Sequence, residues 1–114
     1  MQDSRSATLD NTALYEEIVR RIADLEDPDK IILFGSRARG DYRPDSDFDI
    51  LVIKPSTKPR YARAGSLFGA LARLPVEVEI LVYTPEEVYE WSQVPQAFVT
   101  TAMREGLVLY QRPS

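Results

Sequence analysis

Two short segments contain the residue types that could bind a phosphorylated ligand and a metal ion. The first is Gly35-Ser36-Arg37-Ala38-Arg39-Gly40, in which a glycine–serine pair follows an apolar run and precedes two arginines. The second is Ser46-Asp47-Phe48-Asp49, in which two aspartates separated by one residue open another apolar run. The first segment has donors for phosphate oxygens, and the second has ligands for a divalent cation. Together they indicate a site for a metal-bound nucleoside triphosphate.

The glycine–serine turn has the composition of a phosphate-binding turn. Gly35 follows a run that predicts a buried strand over residues 31–34, and a glycine there lets the backbone bend and a ligand approach closely. If Ser36 begins a short helix, its N–H and hydroxyl can both face phosphate oxygens. Arg37 and Arg39 would point in different directions, so we expect only one, Arg39, to reach phosphate. The Gly-Lys-Ser/Thr ending of a Walker motif is missing, and an ordinary turn with solvated arginines is the alternative.

The two aspartates have the spacing of a metal-binding pair on a strand. Side chains at i and i+2 share one strand face and lie about 7 Å apart. Two metal ions about 3.5–4 Å apart can be bridged by such a pair. The alternative is that Asp47 and Asp49 occupy a solvated strand end, because unpaired buried charge is costly.

A third carboxylate would distinguish these alternatives. The predicted third strand, residues 76–83, supplies Glu77 and Glu79 at the same spacing. If the two acidic strands are neighbours, their carboxylates can converge. The alternative for Glu77 and Glu79 is the polar face of an edge strand. Asp41 and Asp45 are better explained as turn-capping residues in the intervening loop.

Apolar periodicity predicts the helices of the first half of the chain. An amphipathic helix is expected from about Asn11, with Asn11 or Thr12 as its cap. A second helix is expected to have Pro59 in its first turn. Its stripe of apolar side chains is expected to face the core, namely Tyr61, Phe68 and Leu71.

Helix signals in the second half are stronger. Thr84 can cap a helix in which Pro85 is the first residue, and Glu87 can close a capping box. Pro95 is expected to open another helix that stops at Gly106. Strands are predicted over residues 31–34, 47–53, 76–83 and 107–110. The order α-β-β-α-β-α-α-β predicts an α/β (α+β) fold, a small mixed sheet flanked by helices.

Composition limits the classes of function. The 114 residues are 44% hydrophobic and fit a single domain over 1–114, with residues 1–10 expected to be disordered. Neither cysteine nor histidine is present, which favours Mg²⁺ over zinc and is compatible with a cytoplasmic protein. No apolar run is long enough for a membrane helix. The net charge of −4 argues against strong nucleic-acid binding and favours a small nucleotide or a protein partner.

The two-part motif, residues 35–40 followed by 46–50, closely resembles the signature of the DNA polymerase β-like nucleotidyltransferase superfamily. Together with the small size and the segment 78–87, it resembles the minimal nucleotidyltransferases of the MNT type. The resemblance implies that Gly35 and Ser36 hold the triphosphate and that Asp47 and Asp49 bind Mg²⁺. The family's third acid, usually Asp, falls at Glu79, with Glu77 as the other possible ligand. A glutamate there is one methylene longer, which could shift the metal or slow the reaction.

The resemblance also implies a reaction and a partner. Asp47 and Asp49 would hold two Mg²⁺ ions, and Glu79 would share the ion that activates an acceptor hydroxyl for in-line attack on the α-phosphate. MNT-type proteins commonly pair with HEPN-type toxins, so the implied activity is AMP transfer from ATP to a tyrosine of such a partner, as an antitoxin. The alternatives are a non-catalytic nucleotide-binding antitoxin that neutralises its partner by contact, and nucleotidyl transfer to a small molecule. The nucleotide base and the oligomeric state, including a homo-oligomer, stay open.

Overall fold

One four-stranded mixed sheet organises the chain. The computed structural model describes the backbone of residues 2–113 and the side chains of residues 12–113. The strands lie in the order β3-β2-β1-β4 and comprise β1 (Lys30–Phe34), β2 (Phe48–Ile53), β3 (Val78–Tyr83) and β4 (Leu107–Gln111). β1 is antiparallel to β2 and to β4, whereas β2 and β3 run parallel. The helices are α1 (Gln2–Glu26), α2 (Ser36–Arg39), α3 (Gly65–Leu71), α4 (Pro85–Trp91) and α5 (Phe98–Glu105). The predicted fold class, a small mixed sheet flanked by helices, is confirmed.

The two faces of the sheet carry two separate cores, as the alternation along the strands predicts. On one face, Phe48 and Ile50 of β2 pack with buried residues of α1 and α3. On the other face, Leu51 and Ile53 of β2 pack with residues of β3 and α5. Because alternate residues of a strand share a face, Asp49 belongs to the second face, the face that α5 covers.

The first helix is longer than its capping signal predicts. α1 begins at Gln2, so Asn11 and Thr12 lie inside the helix, and their prediction as caps is wrong. Once a helix has formed, each added residue gains a hydrogen bond, so a polar segment can extend it without an apolar face. We expected residues 1–10 to be disordered. The side chains of these residues lie outside the described part of the chain, and the expectation stays a prediction. Within the described residues, no helix is long and apolar enough to cross a membrane.

The region between β2 and β3 departs most from prediction. A 3-10 turn over Arg60–Ala62 precedes α3, instead of one continuous helix. Tyr61 is 91% exposed and Phe68 is 49% exposed, so their prediction as core residues is wrong, while Leu71 is buried as predicted. A break between the turn and the helix destroys the constant 3.6-residue phase on which that stripe depends.

Other element boundaries are shifted by a few residues. β2 begins at Phe48 rather than Asp47, and β3 begins at Val78 rather than Val76. α5 begins at Phe98, three residues after Pro95. The capping box at the start of α4 is confirmed: Glu87 N donates to Thr84 Oγ1 at 3.1 Å, and Thr84 N donates to Glu87 Oε1 at 2.9 Å.

Candidate functional site

The acidic side chains of β2 and β3 meet at one edge of the sheet. β2 and β3 are parallel neighbours, and Asp49 is the register partner of Glu79. On the other side of β2, Asp49 is the register partner of Phe34, the last residue of β1, so Gly35 follows at the same edge. Asp47 lies immediately before β2. The two acidic strands are therefore neighbours, which is the condition for their carboxylates to converge, and we call Asp47, Asp49 and Glu79 the acidic edge.

Gly35 is required where it stands because Asp49 occupies the space of a side chain. Its φ of 76° and ψ of −156° lie in a region that is used essentially only by glycine. A Cβ added to Gly35 would overlap Asp49 Oδ2 and lie 3.2 Å from Asp49 Cγ. The glycine–serine turn and Asp49 of the aspartate pair, which look like parts of separate motifs in the sequence, are thus in direct contact.

The acidic edge carries a strong electrostatic cost at Asp49. Burial raises the pKa of the Asp49 carboxyl, and the neighbouring charges of Glu79 and Asp47 raise this pKa further. The guanidinium of Arg39 acts in the opposite direction and lowers the same pKa. These effects place Glu79, Asp47 and Arg39 within electrostatic reach of Asp49. A cation or a cation-bound ligand at this edge would favour the ionised form of Asp49.

The donor set of the acidic edge suits Mg²⁺ held jointly by protein and substrate. Among residues 12–113, no group of three or more acidic side chains forms a cluster that could hold a metal ion by itself. Mg²⁺ bound with nucleotides usually keeps several waters and takes only one or two carboxylates together with substrate phosphates. Asp47 and Asp49, with their like-charge repulsion, fit that requirement. Glu77 lies outside β3 and contributes its carbonyl, which accepts from Phe48 N at 2.9 Å.

The two arginines of the turn have different environments, as their spacing predicts. Arg39 is exposed and pairs with Asp41, with 3.4 Å between Nε and Oδ2. Arg37 is only 6% exposed, and its guanidinium donates to the carbonyls of Ser46 and Pro44. Arg39 therefore remains available to a ligand, whereas the guanidinium of Arg37 is occupied by backbone carbonyls of the loop that precedes β2. Nothing in the sequence identified Arg37 as a loop anchor, because its acceptors are backbone carbonyls of nearby loop residues.

A cavity of about 260 Å³ opens beside the turn. Its walls come from the end of β1, from α2 and from α5. The aromatic rings of Phe34 and Phe98 form an edge-to-face pair with centroids 5.0 Å apart, and Thr101 and Glu105 supply polar groups. A partly apolar cavity with a few polar groups is typical of small-molecule sites.

The chain belongs to the nucleotidyltransferase domain family, whose model matches residues 15–109. This confirms the family that the two-part motif resembles. A Methanocaldococcus jannaschii protein named "Putative protein adenylyltransferase MJ0604" is 71% identical over 24 residues, which are 21% of this chain and 24% of that protein. The match therefore spans about a quarter of the relative's length.

Two solved structures resemble the fold across most of the chain. One is a crystal structure of a toxin–antitoxin with AMP-PNP, with a TM-score of 0.56 and 26% sequence identity. The other is a mutant of the toxin–antitoxin MntA-HpeT, with a TM-score of 0.51 and 21% identity, and it supports the fold alone. Each alignment covers 86% of this chain and 73% of the other chain.

Proposed function

We propose that this protein is a Mg²⁺-dependent nucleotidyltransferase that transfers a nucleoside monophosphate, AMP from ATP, to a hydroxyl acceptor. The observation that carries the proposal is the acidic edge, which lies against a glycine-led turn in a member of the nucleotidyltransferase domain family. AMP-PNP in the 26%-identical toxin–antitoxin structure supports an adenine nucleotide, as does the name of the archaeal relative.

Different residues of the site would bind different parts of the substrate. Gly35 allows close approach, and the N–H of Ser36 is one of the first-turn donors that a helix leaves without an intrahelical partner. Arg39 adds a positive charge for the phosphates. Asp47 and Asp49 would hold two Mg²⁺ ions, and Glu79 would share one of them. Bound Mg²⁺ neutralises the triphosphate and increases the acidity of an acceptor hydroxyl.

The proposed reaction is an in-line displacement at the α-phosphorus. The acceptor oxygen forms a bond to the α-phosphorus while the bond from that phosphorus to the oxygen bridging the β-phosphate breaks. Pyrophosphate departs with the electron pair, and the acceptor proton passes to solvent. The protein contributes by holding phosphates at the turn and carboxylates at the sheet edge in one rigid arrangement, because both are attached to neighbouring strands.

The acceptor we propose is a tyrosine of a HEPN-type toxin, so that the protein acts as an antitoxin. The toxin–antitoxin assembly of the 26%-identical structure supports a protein partner. A net charge of −4 is also better suited to a protein acceptor than to a nucleic acid.

The proposal is tested by following label from α-³²P nucleoside triphosphates onto the product of the neighbouring gene, with Mg²⁺ present. Wild-type protein should label the partner from ATP and release pyrophosphate. Asp47→Asn should abolish labelling without loss of folded structure, because one anionic ligand is replaced by a neutral amide of the same size. Asp45→Asn is a matched control, since Asp45 is an exposed aspartate of the same loop. Full labelling by Asp47→Asn would exclude the mechanism.

A non-catalytic antitoxin is the second candidate. It is favoured by a glutamate, Glu79, at the third acidic position. Partner neutralisation that survives Asp47→Ala and needs no nucleotide would favour this candidate. Loss of neutralisation in Asp47→Ala, with partner binding retained, would favour the enzyme.

A further inference from the structure

Arg37 is a buried cation held by backbone carbonyls and aromatic rings. Its Nε donates to Ser46 O at 3.2 Å, while Nη2 donates to Ser46 O at 3.1 Å and to Pro44 O at 3.2 Å. The guanidinium carbon lies 4.0 Å from the ring centroid of Phe48 and 4.5 Å from that of Tyr42. Among the ion pairs of the described residues, none includes Arg37. Its charge is therefore compensated by carbonyl dipoles and ring faces.

These contacts fix the peptide group that precedes Asp47. The Ser46 carbonyl and the Asp47 N–H belong to one planar unit, so holding the carbonyl sets the direction in which the chain enters Asp47. Ser46 is itself held in a turn, with its N donating to Arg43 O at 3.0 Å and its Oγ accepting from Arg43 N at 2.8 Å.

The peptide group that follows Asp47 is fixed as well. Phe48 N donates to Glu77 O at 2.9 Å, which ties the start of β2 to the chain entering β3. Asp47 is thus held on both sides although it precedes the strand. Only the anchor on its N-terminal side comes from a side chain, that of Arg37.

We propose that Arg37 is a positioning residue: through the Ser46 carbonyl it sets the place of the Asp47 carboxylate, and so controls divalent-cation binding and the rate of transfer without contacting the nucleotide. The inference about cation binding and rate rests on the proposed function, whereas the anchoring of the loop does not. Arg39, by contrast, is the arginine whose charge acts on Asp49.

The chemistry of arginine is needed for this task. A planar guanidinium can present two N–H groups to one carbonyl while its faces lie against aromatic rings. A lysine ammonium is a compact charge without faces, so it keeps the charge and loses the geometry. Arg37→Lys therefore separates the two contributions, and Arg37→Met removes both.

The experiment compares wild type with Arg37→Lys, Arg37→Met and the control Arg73→Met, an exposed arginine of the loop after α3. Mn²⁺ binding is titrated by electron paramagnetic resonance in the presence of α,β-methylene ATP, amide hydrogen exchange is measured at Ser46 and Phe48, and transfer is measured as kcat and KM for ATP. Arg37→Met should weaken Mn²⁺ binding about tenfold, speed exchange at Ser46 and Phe48, whose amides are hydrogen-bonded in wild type, and lower kcat about 10²-fold with KM within about threefold of wild type. The values measured for Arg37→Lys should fall between those of wild type and Arg37→Met, and the values for Arg73→Met should match wild type.

The outcomes separate this inference from the proposed function. If wild type neither binds Mn²⁺ nor transfers nucleotide, the proposed function fails, and faster exchange at Ser46 and Phe48 in Arg37→Met still supports loop anchoring. If wild type is active and Arg37→Met keeps its kcat and its Mn²⁺ affinity, the positioning role is refuted. A rise in KM alone would also refute it, because that result assigns Arg37 to nucleotide binding. If Arg37→Met does not fold, Arg37→Lys decides by the same criteria.

Discussion

Replacing Gly35 by alanine should displace the Asp49 carboxylate and stop nucleotidyl transfer. The added Cβ would overlap Asp49 Oδ2 and approach Asp49 Cγ to 3.2 Å and Asp49 Cβ to 3.4 Å. Oδ2 is at the end of a rotatable side chain, so the least costly response is rotation of the carboxylate away from the acidic edge. Activity should therefore be more sensitive than folding to this substitution.

The expected magnitudes follow from the backbone and from the overlap. An alanine at φ 76° and ψ −156° costs on the order of 1–3 kcal/mol. Forcing the Asp49 side chain off its preferred rotamer adds about 1 kcal/mol. The melting temperature should fall by on the order of 10 °C, since about 1 kcal/mol corresponds to several degrees in a domain of this size. A carboxylate moved by about 1 Å should lower kcat by about 10²-fold.

Gly40 supplies the matched control. It also has a positive φ, 89°, but no atom within 4 Å would meet a Cβ added there. Gly40→Ala should cost about 1–2 kcal/mol and leave kcat within about threefold of wild type. Labelling of the acceptor from ATP measures the rate, and thermal unfolding at one pH measures the stability of each variant.

A double-mutant cycle with Asp49→Ala tests the same contact without any activity measurement. Truncating Asp49 removes Oδ2 and Cγ and leaves only a Cβ contact of 3.4 Å. Gly35→Ala should then destabilise the Asp49→Ala background by about 1 kcal/mol less than it destabilises wild type. Strict additivity, together with wild-type kcat in Gly35→Ala, would refute the proposed coupling between the turn and Asp49.

Two further predictions concern ionisation. The pKa of Glu87 is lowered to about 2, chiefly by hydrogen bonds from Arg63, so its stabilising effect is present above pH 4.5 and is lost as the pH falls toward 2. Glu87→Gln keeps a residue that can close the capping box. It should lower the free energy of unfolding by about 1–2 kcal/mol at pH 7, a figure reduced for solvent screening because 22% of the Glu87 side chain is exposed. The difference in stability from wild type should vanish in acid. Asp49→Asn should abolish transfer, yet because burial, Glu79 and Asp47 raise the pKa of Asp49, the stability of this variant relative to wild type should rise as the pH increases above about 4. Thermal unfolding across pH checks both, and an unchanged difference between each variant and wild type would contradict the assigned pKa shifts.

The parts of the fold that were predictable depend on neighbours close in sequence. The alternation along β2 and β3 assigned the side chains to the two faces of the sheet correctly, because side chains on a strand alternate whatever surrounds it. The capping box at Thr84 and Glu87 was also predictable, since both partners lie within one helical turn.

The incorrect predictions concern helix boundaries that local sequence signals did not determine. Tyr61 and Phe68 share a face only if one helix runs through them, and no local signal revealed the break between the 3-10 turn and α3. The start of α1 at Gln2 was missed because Asn11 and Thr12 are good capping residues, and residues that favour caps also occur inside helices.

The sequence identified the residue types of the site but not which of these residues contact one another. The sequence indicated Gly35, Asp49 and Glu79 as separate elements of a site. Their apposition required the strand order β3-β2-β1, which places Asp49 between Phe34 and Glu79. The role of Arg37 was not predictable, since its partners are carbonyls and ring faces that become neighbours only when the loop folds.

At the acidic edge, a partly buried carboxylate, that of Asp49, lies beside the like charges of Asp47 and Glu79. Elsewhere, Glu17 pairs with Arg21, and Glu87 pairs with Arg63. Among the ion pairs of the described residues, none includes a carboxylate of the acidic edge, and burial and like charges raise the pKa of Asp49. Neutral residues at the acidic edge would make the native state more stable, because repulsion between the carboxylates destabilises it. A group of neighbouring carboxylates that retains such a cost is typical of a binding site whose ligand supplies positive charge.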